Sequence, residues 1–250
     1  MTEVASPLSA TVFAPLSSEG RAEVAARRIA AAIALGLVSD GEQLPSEAEL
    51  SAQLGIATVT LREALSSLRQ RGLVETRRGR NGGTFVRTPR AEATKLLTAR
   101  LAELSVDDLR DIGDEHAAVA GMAASLAAER GTGPELDRLE GFNQELREAA
   151  THWHQCRADS HFHVQIAVAA QSPRLTGAEV RLQAETVEYL WITDTEEPDQ
   201  ASAVRSHDVL LEAILARDPV RAGELAQKHV RKNIAFITAL HARVSRDRKR

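Results

Sequence analysis

The chain is poor in the residues that carry many kinds of protein chemistry. One cysteine, Cys156, among 250 residues excludes an intrachain disulfide and any cysteine-rich zinc site. Aromatic residues make up only 3%, which together with abundant alanine favours closely packed helices. No apolar run approaches the roughly 20 residues that span a bilayer, and the N-terminus lacks the basic start and apolar stretch of a signal peptide. A cytoplasmic protein without a membrane partner is expected. No His-Glu-x-x-His helix, Gly-x-Ser-x-Gly elbow or phosphate-cradling glycine loop is present, so an enzyme is not expected.

What is present is alanine and other strong helix formers in long stretches, with 43% hydrophobic residues. A mainly α protein with close helix contacts follows. The net charge of −4 hides an asymmetry. Between Leu54 and Arg90 eight arginines face two acids, a local +6 that leaves −10 for the rest. One segment is suited to phosphates and the other is not.

Residues 1–19 read as a flexible arm. A helix with apolar positions 25, 29, 33 and 37 follows. Ser46 with Glu49 forms a capping-box pattern for a short helix ending before Gly55, and "TVTLREALSSLRQRG" supplies the next, with Leu61, Leu65 and Leu68 apolar and Gly72 at its end. "LVETRRGRNGGTFV" reads as a β-hairpin. Residues 20–88 are thus an N-terminal winged helix-turn-helix with a small hairpin wing, followed by a linker over 89–93. An all-α helical bundle over 94–245 and a basic tail over 246–250 complete the chain. Thr132 before Pro134 and Glu135, Ser172 before Pro173, and Asp218 before Pro219 mark helix starts in the bundle.

In a helix-turn-helix the second helix enters the major groove, the groove wide enough for it and distinct for every base pair. Thr58, Thr60 and Arg62 lie near the start of that helix. Arg78, Gly79 and Arg80 form the wing tip, where arginines reach the backbone or minor groove. These are the expected DNA contacts.

In the bundle, "DSHFH" puts Asp159 and His163 on one helix face at i and i+4, while His161 points away. His207 and His229 also fall on apolar stripes. A single histidine in such a place is ordinarily a satisfied core residue. Four inward polar groups can instead form a metal site, one carboxylate and three imidazoles suiting Zn²⁺, with nickel, manganese or iron as alternatives. Spacing by itself leaves both readings open, and a metal-dependent hydrolase using the same cluster is the alternative function.

Gly41 to Val86, with its "LPSE" turn, "LREAL" helix and glycine-rich wing, resembles the DNA-binding domain of the GntR family of bacterial transcription regulators. Two positions depart from that pattern: Ala48 replaces the usual arginine after "LPSE", and Ala57-Thr58 replaces the usual Ser/Thr-Arg pair. Residues from about 94 to 240 resemble the all-helical effector (FCD) domain of the FadR-type subfamily. The resemblance implies a metal held by Asp159, His163, His207 and His229. It also implies a homodimeric repressor of a pseudo-palindromic operator, controlled by a small organic acid, amino acid or sugar acid. The arginine that often holds the effector's carboxylate is replaced near His116 and Ala120, which leaves His116 as a candidate effector contact.

Overall fold

The computed structural model describes residues 20–79, 82–87, 93–191 and 200–247. The expected arm, Arg80, all but Ala93 of the expected linker, and residues 248–250 lie outside them. The first helix, α1 (Arg21–Ala34), buries Ala25, Ala26, Ile29 and Ile33. It stops one turn earlier than its apolar stripe suggested, so Leu37 is exposed rather than part of a helical face. Gly36 takes φ +64°, and Leu37 N–H donates back to the Ala32 carbonyl at 2.9 Å, which closes the helix. Leu35 is fully buried, and it packs with the bundle core instead of with α1's own neighbours. The stem of Arg157 lies where a Cβ on Gly36 would be, so the backbone passes very close to the bundle there.

Helix α2 (Glu47–Leu54) starts at the Ser46–Glu49 capping box and ends at Gly55, φ +64°. After a tight turn, α3 (Thr58–Gln70) buries Leu61, Ala64, Leu65 and Leu68 against α1. Strands β1 (Val74–Arg77) and β2 (Gly83–Val86) pair antiparallel, Val74 opposite Val86, and form the wing. Val74 and Val86 close the same small core. Burying each Leu of this cluster contributes about 1.5–3 kcal/mol.

The bundle comprises α4 (Ala93–Leu101), α5 (Val106–Arg130), α6 (Gly133–Glu148), α7 (His152–Ala169), α8 (Pro173–Leu190), α9 (Gln200–Leu215) and α10 (Pro219–Asp247). Helix α10 therefore continues two residues into the stretch expected as a tail. Local chemistry starts these helices where the sequence indicated: Ser105 with Asp108 and Thr132 with Glu135 form capping boxes, and Asp218 accepts from Arg221 N–H at 2.9 Å.

The abundance of alanine has a structural counterpart. Helix α5 buries Ala117, Ala120, Ala123, Ala124, Ala127 and Ala128. It packs most extensively on α10, where a Cβ on Gly223 would lie 3.2 Å from the Gly121 carbonyl. Small side chains let these backbones close in, and the remaining space is filled by Phe162, Leu210 and Ile214.

Candidate metal centre and nucleic-acid interface

Three helices bring four polar side chains together in the bundle interior. Asp159 and His163 come from α7, His207 from α9 and His229 from α10, and all four are buried. One ligand-type atom from each lies within 4.8 Å of the others. His163 Nε2 and His229 Nε2 are 3.2 Å apart, and Asp159 Oδ1 is 3.5 Å from His207 Nε2 and 4.0 Å from His163 Nε2. Ligands about 2.0–2.1 Å from a tetrahedral ion stand about 3.3 Å from one another. The spacing fits a single ion, slightly open on the Asp159 side.

Hydrogen bonding agrees with that fit. Asp159 Oδ2, both ring nitrogens of His207 and Nδ1 of His229 have no partner, although each is buried. So many orphaned polar atoms in one spot are costly unless something absent from the chain itself satisfies them. His207 is held in place by stacking on Phe162, ring centroids 4.0 Å apart and planes 10° from parallel. The Phe of "DSHFH" thus orients a ligand from another helix. Asn233, one turn beyond His229 on α10, has Nδ2 3.0 Å from His229 Nε2. No sequence signal singled it out.

Electrostatics prepare the donors. Burial pushes the Asp159 carboxyl up to about 7; the nearby Glu179 carboxylate adds to the rise, and the Trp191 indole and His116 oppose it. Burial, with mutual repulsion among the imidazoles, lowers His163 and His207 well below the ordinary histidine value. Burial also brings His229 down to about 4. The imidazoles are therefore neutral at neutral pH, the form in which nitrogen lone pairs bind metal.

His161 takes no part. It is half-buried on the other side of α7, its ring edge-on to Phe142 at 5.2 Å. His116, the candidate effector contact, is buried on α5, with Nε2 3.1 Å from Glu179 Oε1 on α8. Gln183, one turn along α8, donates to the same oxygen at 3.1 Å. Sequence reasoning missed Glu179 and Gln183. The signal was available, because both fall on the apolar face made by Leu182, Val187 and Leu190.

At the other end, Thr58 opens α3 and is exposed, and Thr60 is half-buried. Arg62 is exposed and donates from Nε to Glu47 Oε2 at 2.7 Å, which ties α3 to the start of α2. Arg78 is exposed beside Gly79, φ +113°, in the turn after β1. Arg80 lies outside the described residues. Two arginines counted in the basic excess have a structural duty: Arg77 and Arg87 both pair with Glu75, and Arg77 lies 4.2 Å over the Phe85 ring.

Comparison with known proteins supplies context. Residues 21–86 match the family described as bacterial regulatory proteins, gntR family, and residues 108–232 match the FCD domain. The chain is 44% identical over 232 residues to the putative HTH-type transcriptional regulator RmpR of Mycobacterium gastri, covering 91% of this chain and 84% of that protein. It is 31% identical over 243 residues to the HTH-type transcriptional regulator Mce2R of Mycobacterium tuberculosis (93% and 98% covered). It is 30% identical over 224 residues to the Glc operon transcriptional activator of Escherichia coli (84% and 85%). Among solved structures, E. coli McbR/YncC shares the fold, with TM-score 0.56 and 18% identity over 88% of this chain and 98% of that one.

Proposed function

The chain belongs to the GntR family of DNA-binding transcription regulators and carries an FCD domain, and from that premise we propose that it is a metal-dependent, effector-responsive repressor acting as a cytoplasmic homodimer. In this reading residues 20–88 read DNA through Thr58, Thr60, Arg62, Arg78, Gly79 and Arg80. Residues 94–245 hold a divalent ion, zinc first and nickel, manganese or iron next, and receive a small organic acid, amino acid or sugar acid beside His116. The observation that carries it is the buried Asp159, His163, His207, His229 cluster with its unpartnered donors.

With four ligands from the chain, the bound ion would take a carboxylate only as an additional ligand, by expanding its coordination beyond four. The chain's residues do the rest: neutral imidazoles offer lone pairs, Phe162 fixes His207, and the surrounding apolar core excludes water. The relatives named above are transcription regulators, and the hydrolytic alternative has no support.

Two heads related by a dimer axis call for a pseudo-palindromic operator. An effector alters DNA affinity only to the extent that it prefers one arrangement of the heads over the other. Gel shifts on DNA flanking the protein's own gene, with and without prior chelation, test the reading; identical binding and response in both samples would refute metal dependence. A reporter driven by that DNA tests the sign. Repression predicts higher output when the regulator is deleted.

Proton release gives a sharper check on the cluster. At pH 6 Asp159, with its value near 7, is protonated, whereas His229, with its value near 4, is neutral. Zinc then displaces about one proton, from Asp159. Calorimetry in two buffers of different ionisation enthalpy should therefore report about one proton released at pH 6 and almost none at pH 8. Release of two or three protons would mean that the histidines are charged in the free protein.

A further inference from the structure

Beside the four-ligand cluster lies a second buried polar group, made by His116 on α5 with Glu179 and Gln183 on α8. We infer that Glu179 is a second anchor of the effector site and accepts a hydrogen bond from a hydroxyl or ammonium group. On this inference the effector is a hydroxy, sugar or amino acid with a single free carboxylate, and neither a plain nor a dicarboxylic acid. The inference rests on the metal-and-effector reading above and specifies its ligand class.

The geometry of Glu179 is the starting point. The residue is 1% exposed, and both of its donors, His116 Nε2 and Gln183 Nε2, converge on Oε1 at 3.1 Å. Oε2 is buried and has no partner. A purely structural carboxylate would have both oxygens satisfied, because an orphaned buried acceptor costs about 1–3 kcal/mol or more. One satisfied oxygen holds the group in place, and the free one faces an absent donor.

The location fits an effector contact. Helix α8, which carries Glu179, packs on α7, which carries Asp159 and His163, and on α5, which carries His116; α5 in turn packs on α7 and on α10, which carries His229. The pair therefore sits on the flank of the metal cluster, on helices other than those supplying its ligands. A molecule held at the ion by its carboxylate would present its next polar group to Glu179. A donor there completes the hydrogen bonding. A second carboxylate would put like charges together in a buried place, which is strongly unfavourable.

The test uses the zinc-loaded full chain. Thermal shift compares lactate and alanine with propanoate, gluconate with hexanoate, and all of them with malonate and succinate. Donor-bearing monocarboxylates are expected to raise the melting temperature, and the others are not. Calorimetry on the best pair should give Kd values differing by about tenfold or more, since a site built around a hydrogen bond rejects the analogue lacking it.

In Glu179→Gln, which keeps the shape of the side chain, that ratio should fall toward one while zinc content is unchanged. A hydroxyl chelating the ion would keep its benefit in the variant, so the change in ratio isolates Glu179. If Glu179→Gln does not fold, the ratio is read in Glu179→Asp, where the withdrawn carboxylate should likewise lower it. Equal binding of plain acids, preference for dicarboxylates, or an unaltered ratio in Glu179→Gln would each overturn this inference alone, and no binding by any probe with zinc in place would overturn it together with the small-acid effector. A wild type that takes up no zinc overturns the metal reading together with it.

Discussion

His207→Ala is expected to emerge from a chelator-free purification without bound metal, and His229→Ala likewise, whereas His161→Ala keeps the wild-type content. The ligands converge from α7, α9 and α10, and losing any one leaves three groups around a hole. Changes in groups that merely orient metal ligands cost about 10–100-fold in affinity, so removal of a ligand itself should exceed about 100-fold. His161 serves as the internal control because it shares α7 with Asp159 and His163 but packs on Phe142.

Phe162→Leu should fall between these extremes, with metal retained but bound about tenfold more weakly, because the stacking that aligns His207 is lost. Elemental analysis of folded protein, with helicity checked by circular dichroism, reads all four variants. Full metal content in His207→Ala would sink the four-ligand site. A metal-free wild type would return these histidines to the role of buried core residues.

Arg62→Ala is expected to weaken binding to the operator by about 1–3 kcal/mol, a factor of about 5 to 150, and to make the dependence of log K on log salt shallower. Each phosphate contact contributes about 0.9 to that slope, and a dimer would lose two. The effect should come from the interface rather than from unfolding. Arg62 is exposed, and its bond to Glu47 is a surface ion pair of the kind worth about 0–1 kcal/mol. An unchanged melting temperature with reduced affinity is thus the expected pattern. Arg62 could also read a guanine edge, and then affinity falls while discrimination at one base pair relaxes and the slope stays put. Equal affinity and equal slope in the variant would remove Arg62 from the interface. Arg80→Ala in the wing should show the same direction of change.

The two classes of site differ in how well they can be read from residues in order. Helix starts are local events, in which a side chain caps a backbone N–H a few positions away, so Ser46, Thr132 and Asp218 were legible. Helix ends were less so. The stripe through positions 25, 29, 33 and 37 ran past the true end of α1, because Gly36 adopts a left-handed conformation where Leu35 turns into the bundle. Leu35's apolar character says that it is buried, but not against which helix.

The sequence by itself determined the helical class, the winged head with its recognition helix, and the shared face of Asp159 and His163, since each depends on periodicity or on neighbours within one or two turns. Only the tertiary structure decided that His207 and His229 meet that face at 3.2–3.5 Å, because helix packing brings together residues far apart in the chain. It also decided that His116 is paired with Glu179 in the interior. Glu179 shares the apolar face of Leu182, Val187 and Leu190, but only the packed neighbouring helices fix its partner and leave one of its oxygens unsatisfied.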